Sequence, residues 1–106
     1  MAHGRKQIAF DLDTKELERY YPRSHWRSAY KDIKSFMKDN RFVWEQGSVY
    51  ISKGPMNPLQ INALTHKMIA AYPWLNICMR DCVVTNVGQS HELSYLFDKT
   101  ANLTEN

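Results

Sequence analysis

A chain of 106 residues has room for one domain and one core. Its composition, 43% hydrophobic and 24% charged, excludes a disordered chain. Fourteen basic against eleven acidic side chains leave a net charge of +3, which permits an acidic partner such as nucleic acid without requiring one.

The elements follow in chain order. Ile8, Phe10 and Leu12 alternate with Ala9, Asp11 and Asp13, the pattern of a strand with one apolar face that ends in carboxylates. Asp13-Thr14-Lys15-Glu16 matches a capping box, so a helix starts at Asp13 and meets its break at Pro22. Helical periodicity resumes over residues 24–39. Trp26, Ala29, Tyr30, Ile33, Phe36 and Met37 share one stripe; Arg23, Arg27, Lys31, Lys34 and Lys38 share its neighbour. Residues 42–52 are rich in β-formers and are interrupted by Gly47, which predicts a bulge or a tight turn between two short strands.

Asn57-Pro58 reads as an N-cap followed by an N1 proline. The helix it opens is expected to run to about Tyr72, with Ile61, Leu64, Met68, Ala71 and Tyr72 facing the core, and to stop at Pro73. Residues 82–87 form the last core strand. Leu93, Leu96 and Phe97 have the spacing of a short C-terminal helix. The order βαββαβ predicts an α+β, ferredoxin-like sandwich with helices on one face of an antiparallel sheet. Its core would span about residues 7–88, with a C-terminal extension at 89–106. The other sheet face would be left uncovered, so a homodimer is expected.

Residues 1–7 lack the apolar centre of a signal peptide, and no run approaches the roughly 18–20 apolar residues of a membrane span. The expected location is the cytoplasm, with no membrane partner. Cys78 and Cys82 are expected to be reduced, buried thiols. The four histidines are too scattered to complete a zinc site or to supply an acid–base pair.

Four features carry chemistry. Asp13 has a capping role, whereas Asp11 ends a strand where a carboxylate gains little structurally, which marks it for catalysis or a metal. Phe10-Asp11-Leu12-Asp13-Thr14 also looks like the nucleophile motif of haloacid dehalogenase-type phosphatases. Those enzymes carry a glycine before the threonine and need a doubly wound sheet; this chain has neither the glycine nor the length. Ser48, after Gly47, lacks the surroundings of a nucleophile elbow but suits donation to a phosphate. Arg80-Asp81 precedes the last strand, where Asp81 can join Asp11 and Arg80 can offset charge on a phosphate. The one-sign ridge from Arg23 to Lys38 suits a phosphate backbone.

Ile8-Ala-Phe-Asp-Leu-Asp13, Ala29-Tyr-Lys-Asp-Ile33, Gln46-Gly-Ser-Val-Tyr50, Tyr72-Pro-Trp74 and Arg80-Asp81, taken together, resemble the virulence-associated protein D family over residues 7–87. That family is similar in fold to small CRISPR-associated nucleases. The resemblance implies a homodimeric endoribonuclease acting on single-stranded or loop RNA, a toxin paired with an antitoxin protein. By position it implies catalytic roles for Asp11, Ser48 and Asp81, while the basic ridge itself assigns RNA binding to Arg23, Arg27, Lys31, Lys34 and Lys38, with Arg80 at the scissile phosphate. It leaves metal dependence open, with Mg2+ at Asp11 the candidate. The alternative is a non-catalytic nucleic-acid-binding or protein-interaction module on the same scaffold.

Overall fold

The computed structural model describes residues 4–88 and Leu96. Strand β1 (Arg5–Leu12) buries Lys6, Ile8, Phe10 and Leu12 and turns Arg5, Gln7, Ala9 and Asp11 to the other face. It is followed by α1 (Thr14–Tyr20), α2 (Ser28–Asp39), β2 (Phe42–Gln46), β3 (Val49–Ser52), α3 (Pro58–Ala71), α4 (Leu75–Cys78) and β4 (Met79–Val87). The sheet order is β2-β3-β1-β4, with every neighbouring pair antiparallel. This is the ferredoxin-like α+β arrangement expected from the element order.

The local signals act as the sequence implies, with informative exceptions. Asp13 caps α1: its Oδ1 accepts the backbone N–H groups of Lys15 and Glu16 at 3.0 and 3.1 Å. The Asp13 N–H itself donates to the Cys78 carbonyl at 2.8 Å. That bond ties the end of β1 to the start of β4. Asn57 and Gln60 form a complete capping box on α3, with Pro58 at its first position. The break between β2 and β3 is a turn at Gly47, whose φ of 48° lies in the left-handed region that glycine enters without strain.

Four expectations need correction. Helix α2 starts at Ser28, not at residue 24, because the turn bonds from Ser28, Ala29 and Tyr30 back to His25, Trp26 and Arg27 span only three residues. Arg23 therefore precedes the helix and is not part of its face. Strand β4 starts at Met79, directly after the short helix α4, so Arg80 and Asp81 lie inside the strand rather than before it. Ala71 is exposed at the end of α3. Cys82 is exposed while Cys78 is buried, because among the described residues no helix covers the side of β4 that continues the core face. The C-terminal helix expected near residues 90–99 lies, Leu96 apart, outside the described residues.

The core lies between the sheet and the helices. Ile8, Phe10, Leu12 and Tyr50 from the sheet meet Leu17, Ile33, Phe36, Met37, Leu64 and Leu75. Tyr21 packs edge-on against Trp74 at 5.1 Å between ring centroids. Trp26 is half-buried against this cluster. On the opposite sheet face, Ala9 pairs with Val49 and Val83, and Val43 pairs with Ile51. Val43 and Val83 are about half exposed there, at 48% and 52%. Among the described residues, no helix is long and apolar enough to cross a membrane.

Candidate active site at the end of strands β1 and β4

Antiparallel pairing sets Asp11 directly opposite Asp81. Like charges in that position oppose folding, so the pair is not explained by stability. The register shifts just beyond it, where Leu12 pairs with Met79 and Arg80 is the extra residue of a bulge. The bulge turns Arg80 back across the strand end. Its Nη1 lies 3.6 Å from Asp11 Oδ2 and its Nη2 3.5 Å from Asp13 Oδ2. Both contacts are long and solvated, so they align the groups without binding them firmly. Asp81 has no salt bridge among the described residues.

Ser48 completes the cluster from the hairpin turn. Its carbonyl accepts the Phe10 N–H at 3.1 Å, which sets it beside the residue preceding Asp11. Asp11, Ser48, Arg80 and Asp81 thus lie toward one end of the sheet.

Two further residues are influenced by this cluster. The sequence marks Asp13 as a helix cap, and its second oxygen also faces Arg80. The backbone N–H of Glu16 is the main reason its carboxyl lies below the usual range, with Arg80 adding to the effect against desolvation. Tyr30, half-buried on α2, has its phenol raised by burial and then by the charge of Asp11. Its place on the apolar stripe hid it, since core packing accounts equally well for a tyrosine there.

The basic residues divide. Arg23 is engaged by Asp32 and by the Tyr21 hydroxyl, and its guanidinium is held still more firmly protonated by Asp32. Asp32 thereby puts an acid beside what read as a one-sign ridge. Arg27 lies over the Trp26 ring at 4.6 Å. Lys31, Lys34 and Lys38 remain exposed along α2, and Lys34 lies over the Trp44 ring at 4.2 Å.

Among the described residues, no three His, Cys, Asp or Glu side chains form a cluster that could hold a metal ion. Asp11 and Asp81 supply two opposed, accessible carboxylates. That donor set fits Mg2+, which is usually held by one or two carboxylates and keeps several waters.

The fold and this strand-end cluster define a ferredoxin-like α+β domain with a carboxylate–guanidinium site on its sheet. No family model matches the chain. It is 30% identical over 86 residues to "Endoribonuclease VapD 2" of Riemerella anatipestifer, covering 81% of this chain and 92% of that protein. It is 28% identical over 86 residues to "Endoribonuclease VapD homolog" of Helicobacter pylori, covering 81% and 88%. With "Endoribonuclease VapD" of Dichelobacter nodosus the identity is 34% over 74 residues, covering 70% and 76%. The chain belongs to the VapD family.

Proposed function

We propose that this protein is an endoribonuclease that hydrolyses phosphodiester bonds in single-stranded or loop RNA. The observation that carries this reading is the opposition of Asp11 and Asp81 across β1 and β4, with Arg80 between the strands and Ser48 alongside. The names of its relatives support the same activity.

In this reading Asp11 and Asp81 orient the attacking water, one of them takes its proton as the water oxygen bonds to phosphorus, and the bond to the leaving ribose oxygen breaks as a solvent water protonates it. Arg80 leaves Asp11 and Asp13 for the scissile phosphate, where negative charge grows in the transition state. The looseness of its present contacts favours that exchange. Ser48 donates to a non-bridging phosphate oxygen. Mg2+, held by Asp11 and Asp81, would stabilise the charge on attacking and leaving oxygens. Arg27, Lys31, Lys34 and Lys38 draw in the strand, and Arg23 contributes once released from Asp32.

The protein acts as a cytoplasmic homodimer in this proposal. The partly exposed Val43, Val49, Ile51 and Val83 make the face opposite the helices an apolar surface for a second copy. The toxin role follows the family resemblance, with an antitoxin protein as partner. One observation favours the non-catalytic alternative: Arg80 already occupies the space between Asp11 and Asp13.

Incubation with end-labelled single-stranded RNA, with Mg2+ and with EDTA, separates the readings. Cleavage by the wild type and its loss in Asp11→Ala support the nuclease. Equal cleavage by both proteins places the activity elsewhere, and intact RNA under every condition favours the binding module.

A further inference from the structure

Trp44 is a large aromatic side chain on an edge strand, yet it is 47% exposed. Its indole Nε1–H donates to the Gly47 carbonyl at 2.9 Å, which fixes the ring without burying it. The ring forms one wall of a cavity of about 330 Å³ between α2 and the β2–β3 hairpin. Phe42 and Tyr50 supply the apolar floor, and Lys34, Lys38 and Lys53 stand around it. No carboxylate lines the cavity, and none of the three lysines has a salt bridge among the described residues. An oriented aromatic platform inside a purely cationic rim matches a ligand with a flat ring and anionic flanks.

The platform is connected to the strand-end cluster. Gly47, which anchors the indole, precedes Ser48, and Ser48 is bonded to the residue before Asp11. The hairpin turn thus links the two, although Trp44 shares the helix-facing side of the sheet with Tyr50 while Asp11 is turned to the other side.

We propose that this cavity is a single-stranded RNA subsite, in which one unpaired base stacks on Trp44 while neighbouring phosphates contact Lys34, Lys38 and Lys53. It rests on the endoribonuclease reading and assigns that site's substrate one base position at the β2–β3 hairpin, away from the strand-end carboxylates. Lys34 now lies over the indole. The entering base takes that position, and the ammonium moves to a phosphate. The charge complementarity selects a nucleic-acid strand over an apolar peptide.

The test is fluorescence anisotropy with a short labelled 2′-O-methyl oligoribonucleotide, titrated with the full chain at several salt concentrations. Trp44→Ala is expected to weaken binding about 5- to 150-fold, the equivalent of one lost base stack of ~1–3 kcal/mol. Trp44→Phe keeps a stacking surface and recovers most of the affinity. Lys53→Ala and Lys38→Ala each lower the slope of log affinity against log salt by about 0.7. Affinity unchanged in Trp44→Ala, or salt slopes unchanged in both lysine variants, overturns the subsite. If circular dichroism shows Trp44→Ala unfolded, Trp44→Phe and the lysine slopes decide. Wild-type cleavage with Trp44-independent binding rejects the subsite and leaves the nuclease standing. Trp44-dependent binding without cleavage rejects the nuclease and leaves the subsite.

Discussion

The two edge strands of the sheet are built for different tasks. Strand β2 is short, begins with the fully buried Phe42 and packs beside α2. Strand β4 has nine residues and is exposed or only half-buried along its whole length. An open edge strand is a liability in a soluble protein, and β4 tolerates it while carrying Arg80 and Asp81. Strand β2 is thus held through one buried aromatic, and the chemistry is concentrated where the long β4 ladder meets β1. A site that must admit a polymer and exchange ion pairs gains from that openness.

Substitutions at the two edges should therefore separate stability from activity. Phe42→Ala is expected to cost about 3–5 kcal/mol in denaturant unfolding, the usual loss for a large core aromatic. A cost under 1 kcal/mol would mean that β2 does not anchor the fold. Where β1 meets the β4 edge, Asp11→Ala should lower RNA cleavage by about 10²- to 10⁴-fold in a gel assay while the melting temperature holds. Loss of both together would make Asp11 structural.

Smaller effects refine the contrast. Val83→Lys puts a charge on the apolar sheet face and should convert the proposed dimer to a monomer in light scattering, with monomer stability within ~0.5 kcal/mol. Asp81→Asn removes one of two opposed carboxylates. It should stabilise by roughly 0.2–1 kcal/mol and still reduce cleavage. A destabilised Asp81→Asn would show that the opposition is already compensated.

The smallest effect is a pH dependence. Asp13 has a folded pKa below its ordinary value. It therefore contributes stability above the unfolded value of about 3.9, and that stability is lost as pH falls through the lower folded value. Asp13→Asn keeps a good cap but does not titrate. The stability difference between wild type and variant should shrink on acidification below about pH 4; a constant difference would remove Asp13's charge from the account.

Much of the fold was legible because its signals are local. The alternation of Ile8, Phe10 and Leu12, the caps at Asp13 and Asn57 and the turn at Gly47 each act within a few residues. The misread boundaries have tertiary causes. Helical periodicity continues back to residue 24, but the link leading from Pro22 is held by Arg23 on Asp32 and by Trp26 on the core. Strand β4 was read as too short because α4, one turn long, has no periodicity of its own to mark where the strand begins.

Residue types determined which side chains could carry chemistry: a carboxylate at a strand end, a serine after a glycine, an arginine–aspartate pair. Chain order determined the antiparallel sheet that would hold them. The tertiary structure alone decided that Asp11 faces Asp81, because strand register depends on pairing between residues seventy positions apart. It also decided that a bulge aims Arg80 at Asp11 and Asp13, and that Trp44, read from sequence as a strand former, stands exposed among lysines. Spacing along a chain sets which face a side chain takes; only packing sets what it meets there.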